Sequence, residues 1–179
     1  MFSTSLCYLE KEGSWLMLHR IKKKDDLNEG KWIGVGGKVE EGESPEDCVV
    51  REVFEETGYQ LHTWSYRGII TFVSDQWESE HMHLFTSSDF SGEPHGCDEG
   101  VAEWIPIHRI PELRLWEGDR IFLRLLRTAE PFFSLKLVYR GDTLVQAVLN
   151  GKPVPLREYG EKDERESGKE SHLEKIQDR

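Results

Sequence analysis

The stretch that most constrains this chain is residues 36–59, GGKVEEGESPEDCVVREVFEETGY. It describes a helix with both ends marked. Ser44 is a good N-cap, Pro45 suits the first helical position, and Gly58 can adopt the left-handed conformation that ends a helix. Acids collect on one side of it. With Glu52 set at 0° and about 100° per residue, Glu55 falls near 300° and Glu56 near 40°. On the same count Val53 lies near 100°, Val50 near 160° and Phe54 near 200°, on a face suited to a core. Carboxylates three and four residues apart repel by a few tenths of a kcal/mol per pair. A stripe of acids alone is most often a solvated face. Here a double glycine, Gly36-Gly37, precedes it, Glu43 lies upstream and Arg51 adjoins it. That setting points to a cation held against the acids. Mg²⁺ prefers such hard oxygen ligands and keeps waters for a phosphate-bearing substrate, with Mn²⁺ as the alternative.

The surrounding chain reads as strands and a second helix. Ser3–Leu9 and Trp15–His19 form a hairpin about Glu10–Gly13. Arg20–Lys31 is a charged loop, and Trp32–Gly37 bends sharply or approaches a ligand. Strands are expected at Gly68–Val73, Met82–Thr86 and Val101–Ile105, with a loop over Asp89–Gly100. A helix is expected over Trp116–Leu126, then a hairpin of Phe132–Tyr139 and Thr143–Val148 about Arg140–Asp142. Helices inserted among strands indicate a layered α/β domain over residues 1–155. Residues 156–179 hold six basic and eight acidic residues and few apolar ones, and are expected to form a mobile tail.

Charge and cysteine content narrow the partners. Lys and Arg total 23 against 34 Asp and Glu, for a net charge of −11, which disfavours duplex nucleic acid. No apolar run approaches the ~20 residues of a membrane-spanning helix. Cys7, Cys48 and Cys97 form no CxxC pair and are odd in number, which argues against a disulfide framework and for the reducing cytoplasm. The charge does not exclude a small phosphorylated substrate, because a metal ion could supply the missing positive charge, and the expected assembly is a monomer or homodimer.

The run Gly37-x5-Glu43-x7-Arg51-Glu52-Val53-x-Glu55-Glu56-x-Gly58-Tyr59 resembles the NUDIX box, G-x5-E-x7-R-E-U-x-E-E-x-G-U, where U is bulky and aliphatic. Every fixed position matches, and Tyr59 stands at the last U. The resemblance implies an α/β/α sandwich with a mixed β-sheet between helices, and hydrolysis of a diphosphate linked to another group. It implies metal ligation by Glu52, Glu55 and Glu56 with the Gly36 carbonyl. It makes Arg51 and Glu43 the pair that orients loop and helix. Within the family, the chain is similar to the MutT-like sanitisers of oxidised purine nucleoside triphosphates such as 8-oxo-dGTP, of the bacterial Gram-positive type. The finer likeness lies in Gly30–Lys38 and in Lys23 in a basic loop. It extends to Asp98-Glu99 as a downstream acidic site, where Glu99 joins the metal and catalytic residues, and to Trp116-Glu117-Gly118-Asp119. The substrate residues so implied are Lys23, Trp32, Gly37, Lys38, Trp116 and Asp119, with Trp116 over a purine face and Asp119 on its edge. Two positions depart: Ile33 stands where mammalian members carry a base-reading Asn, and Gly118 where they carry a further Asp. RNA 5′-pyrophosphate removal, dihydroneopterin triphosphate hydrolysis and a non-catalytic nucleotide-binding module are the alternatives.

Other features have plainer readings. His81 and His83 share one face of a strand, expected at a sheet edge. Cys48 reads as a small buried residue, and Trp15, Trp64, Trp77 and Trp104 as packing residues.

Overall fold

The computed structural model describes residues 1–22 and 27–157. Lys23 and the charged segment from 158 onward lie outside the described residues. Among the described residues there are ten strands and two α-helices, in the order β1 (Phe2–Lys11), β2 (Ser14–His19), β3 (Trp32–Ile33), β4 (Val35–Lys38), α1 (Pro45–Thr57), β5 (Gln60–Ser74), β6 (Glu80–Ser91), β7 (Val101–Pro106), α2 (Asp119–Leu126), β8 (Phe133–Arg140), β9 (Thr143–Leu149) and β10 (Lys152–Pro153). A 3-10 turn over Ile107–Glu112 connects β7 to the segment before α2.

The sheet is mixed. Its path runs β10-β9-β8-β5-β6-β1-β2-β3, with β4 also pairing β1 and β7 also pairing β2. β1 is the hub. It runs parallel to β6, with Leu6 opposite Leu84, and antiparallel to β4, with Leu6 opposite Gly36. Past Glu10 it turns at Glu12-Gly13, both with positive φ, into β2. Alternation along these strands makes two cores. Cys7, Leu9, Leu16 and Phe85 join Val49 and Val53 of α1. Tyr8, Trp15, Met17 and Leu84 join Ile121, Phe122, Leu123 and Leu126 of α2, together with Phe133, Leu135 and Leu137 of β8. The sheet thus lies between helices, as the sequence implies.

α1 begins and ends where its capping residues dictate. Ser44 Oγ accepts from the Asp47 N–H at 3.1 Å, and the Asp47 carboxylate accepts from the Ser44 N–H at 2.9 Å. Gly58 takes φ 80° and donates to the Phe54 carbonyl at 2.8 Å. The buried side is not quite the expected one. Cys48, Val49, Val53, Glu56 and Thr57 face the sheet, while Phe54 is 55% exposed. The contact stripe follows the i, i+4, i+7 row from Val49 to Glu56, which rotates Phe54 outward and draws the last acid of the stripe inward.

Other expectations need correction. β5 and β6 are much longer than Gly68–Val73 and Met82–Thr86, because three register shifts in their pairing break the two-residue alternation between Leu61 and Gly68. α2 starts at Asp119 rather than Trp116. Residues 116–118 form a turn in which the Asp119 N–H donates to the Trp116 carbonyl, and Tyr139 Oη accepts from the Gly118 N–H at 2.7 Å. β6 is interior, between β5 and β1, so His81 and His83 are half-buried on an inner strand rather than on an edge. Trp64 and Trp77 are exposed, whereas Trp15 is in the core.

Candidate active site

β4 and α1 bring the acidic stripe against the double glycine. Gly36 lies opposite Leu6 in the sheet, and a Cβ there would overlap the Ser5 carbonyl. A Cβ on Gly37 would overlap the Glu52 carboxylate. Only a chain without side chains at these two positions lets β4 sit under β1 and the helix acids at once. Two further contacts fix the helix on this ledge. Ser5 Oγ donates to the Pro45 carbonyl at 2.7 Å, and Cys48 Sγ lies 3.5 Å from the Gly37 carbonyl.

Arg51 organises the loop and the stripe together. It grips Glu43 at both ends, Nε to Oε1 at 2.7 Å and Nη2 to Oε2 at 2.9 Å. The same guanidinium reaches Glu52 at 2.7 Å, Glu55 at 3.2 Å and the Lys38 carbonyl at 3.1 Å. Its hydrogen bond is the main reason the Glu43 carboxyl is held down at about 2. Arg51 also offsets the repulsion within the stripe. Glu56 takes a different partner, accepting from the Gly36 N–H at 3.0 Å. Burial is the main cause that pushes its carboxyl up to about 7, opposed by that hydrogen bond.

These residues fit a hard divalent cation. Their donors are all oxygen, and three carboxylates with the Gly36 backbone share one end of the helix. No three acidic, histidine or cysteine side chains already converge on one point among the described residues. Glu52 and Glu55 are instead drawn towards Arg51. Glu99, before β7, pairs with Arg20. Lys38 is exposed, with its Nζ 5.1 Å from the Phe2 ring.

The second group of expected residues lies on the α2 side of the sheet. Asp119 is 7% exposed, and its burial raises the carboxyl to about 8 against the pull of Lys31 and Arg120. Burial thus favours the protonated form, which can donate a hydrogen bond as well as accept one. Trp116 is also buried. It packs edge-to-face on Phe72 and Tyr139, donates Nε1–H to Asn28 Oδ1 at 2.9 Å, and has Lys31 Nζ 3.8 Å from its ring centre. Trp32 has one face stacked on His19 at 4.3 Å. A cavity of about 360 Å³ opens here, lined by Lys31, Arg114, Trp116, Arg120 and their neighbours. A larger hollow of about 470 Å³, between the β1–β2 turn and the end of β6, contains none of the expected residues; side-chain chemistry, not size, decides which matters.

Three residues join the site without having been singled out in the sequence. Tyr8 is fully buried beside Gly34, its hydroxyl has no hydrogen-bond partner among the described residues, and burial first, then the Asp119 carboxyl, push that hydroxyl well above the usual tyrosine range. Asn28 orients Trp116. Arg20 is buried and holds Glu99. Only Arg20, a cation at the end of an apolar strand, left a trace in the sequence.

A NUDIX domain model matches residues 3–126, a span that includes α1. The chain belongs to the NUDIX family and is a MutT-like hydrolase. It is 32% identical over 129 residues to the oxidized purine nucleoside triphosphate hydrolase of Danio rerio, covering 72% of this chain and 83% of that protein. It is 34% identical over 124 residues to the mouse protein of the same name, covering 69% and 80%. Among solved structures, the MutT protein of Bacillus halodurans superposes with a TM-score of 0.76 over 86% of this chain and all of that one; at 24% identity this shows the fold. NUDIX hydrolases generally use a divalent metal and act on small nucleotides. No helix among the described residues is long and apolar enough to cross a membrane.

Proposed function

We propose that this chain is a Mg²⁺-dependent pyrophosphohydrolase that converts oxidised purine nucleoside triphosphates, 8-oxo-dGTP among them, to the monophosphate and pyrophosphate. The observation that carries the reading is the arrangement at α1: Arg51 clamped on Glu43 and bonded to Glu52 and Glu55, with Glu52 against Gly37 and Glu56 bonded to the Gly36 N–H. Glu52, Glu55, Glu56, the Gly36 carbonyl and Glu99 would hold the metal, which when bound neutralises polyphosphate charge and activates water. Arg51 and Glu43 keep the helix and its preceding loop in register. Gly37 leaves room for the Glu52 carboxylate. Lys38, and Lys23 outside the described residues, would meet the phosphates.

The purine specificity rests on the α2 side and on the names of the zebrafish and mouse relatives. Trp116 lines a cavity large enough for a base, and Asp119 lies buried three residues further on, at the start of α2. A neutral Asp119 offers a donor and an acceptor to a base edge. 8-Oxoguanine differs from guanine in presenting a donor at N7, so a matched acceptor favours it. Residues 1–155 form the catalytic domain in this reading, and the three free, buried thiols suit the cytoplasm.

The test is kcat/KM for 8-oxo-dGTP, dGTP and dCTP with Mg²⁺ and with EDTA, in the wild type and in Asp119→Ala. An unmatched buried polar group costs ~1–3 kcal/mol, so 8-oxo-dGTP should lead by about one to two decades. Asp119→Ala should remove most of that lead by raising KM. Equal values for all three substrates in the wild type would reject the specificity, and full turnover in EDTA would reject the metal.

A further inference from the structure

Two buried polar groups on the α2 side of the sheet lack the hydrogen bonds that such groups normally make. Tyr8 of β1 is fully buried, and its hydroxyl has no hydrogen-bond partner among the described residues. The rings packed on it supply none. Phe122 lies 6.3 Å away between centroids and is apolar, and Trp15, at 5.5 Å, already donates its indole N–H to Glu10 at 3.0 Å. On the other side the phenol lies against Gly34, where a Cβ would come within 3.0 Å of Cζ. The Gly34 backbone N–H favours the charged form of the phenol oxygen, so it is the hydroxyl hydrogen that wants an acceptor. Asp119 is the second group. It opens α2 one turn before Phe122, and no described residue donates a hydrogen bond to its carboxyl; beyond burial, only the charges of Lys31, Arg120 and Glu80 act on it. Burial first, and then the Asp119 charge, raise both Tyr8 and Tyr139, whose hydroxyl accepts from the Gly118 N–H. The Tyr8 hydroxyl and the Asp119 carboxyl thus belong to one region beneath the first turn of α2. They differ in access, for Asp119 keeps 7% exposure and Tyr8 none.

Building on the reading of Asp119 as a base-edge residue, we infer that Tyr8 is a positioning residue whose hydroxyl donates to the Asp119 carboxyl when that group takes up a purine edge. Substrate can reach Asp119 but not Tyr8, so Tyr8 acts through Asp119 and not on the base itself. A carboxyl has two oxygens. The base edge takes the more accessible one. The other is left among buried side chains, where an acceptor without a donor is costly. The Tyr8 hydroxyl is the donor placed for it, on a ring already held by Trp15, Phe122 and Gly34, so little freedom is lost when the bond forms. In the nucleotide-free chain the same hydroxyl stays unmet. That costs the fold stability, a cost a tyrosine kept for packing alone would not carry.

Calorimetric titration with 8-oxo-dGMP in EDTA tests this apart from metal and turnover. Tyr8→Phe keeps the ring and removes only the hydroxyl. It should weaken binding by about tenfold, while the Tm of the nucleotide-free protein holds or rises because no bond is lost there. In an Asp119→Ala background the same change should cost less than about twofold, since the acceptor is gone. A tyrosine that merely shapes the pocket would cost the same in both backgrounds, and that result overturns the inference. Unchanged affinity in Tyr8→Phe overturns it too. So does a nucleotide-free Tm lowered by more than about 2 °C, or a failure to fold, because the hydroxyl would then already hold a structural bond. Asp119→Ala in the otherwise unaltered protein separates this from the parent reading, and it should weaken binding by more than about tenfold. If it does and Tyr8→Phe has no effect, only the positioning role fails. If Asp119→Ala has no effect, both fail.

Discussion

Replacing Asp119 by Asn isolates a single buried carboxyl, and its effect can be worked out from its environment. Burial raises the group to about 8 from an ordinary value of 3.8. Between those values the folded protein keeps a proton that the unfolded chain has lost. Stability contributed by the protonated carboxyl is therefore complete below pH ~4 and declines as pH rises towards 8. The slope is about 1.4 kcal/mol per pH unit, so roughly 3–4 kcal/mol is lost between pH 5 and pH 8. In a domain of this size 1 kcal/mol shifts Tm by about 2–4 °C. Asparagine has nearly the same shape and does not titrate, and every other group titrates alike in both proteins. The difference in Tm, Asp119→Asn minus wild type, should therefore grow by about 6–16 °C from pH 5 to pH 8. Differential scanning calorimetry of the ligand-free proteins measures it. A difference that stays constant over that range would refute the reasoning, because Asp119 would then be ionised in the fold and paired with Lys31 or Arg120.

Two further changes probe α1. Glu56→Gln preserves the shape and the bond from the Gly36 N–H while removing a charge, so Tm should hold and kcat should fall by at least roughly a hundredfold; near-normal Mg²⁺-dependent turnover would remove Glu56 from the site. Gly37→Ala places a methyl group on the Glu52 carboxylate. The Mg²⁺ concentration for half-maximal rate should rise by about tenfold, and an unchanged requirement would show that Glu52 need not lie against this backbone.

What the sequence discloses depends on how local the physics is. α1 was legible to the residue because Ser44, Pro45 and Gly58 act within one turn of their own positions. The acidic face was legible because helical geometry is regular. Phe54 was not, since whether the stripe from Val49 to Glu56 or its neighbour faces the sheet depends on how the helix rolls on β1 and β4. The lengths of β5 and β6 were hidden by bulges. Asp119 and Trp116 were named from resemblance, but their burial, the Lys31 ammonium over the indole and the Tyr8 hydroxyl are products of long-range packing. The pairing of Arg20 with Glu99 joins residues far apart in the chain and has no local signature at all.

The central claim is a metal-assisted attack that splits a nucleoside triphosphate between its α- and β-phosphates. It is tested most directly by identifying the products of 8-oxo-dGTP with Mg²⁺ in isotope-labelled water, using chromatography and mass spectrometry. The account predicts 8-oxo-dGMP and pyrophosphate, formed in equal amounts and only when the metal is present. Release of inorganic phosphate with a nucleoside diphosphate, or no hydrolysis of any nucleoside triphosphate, would contradict it.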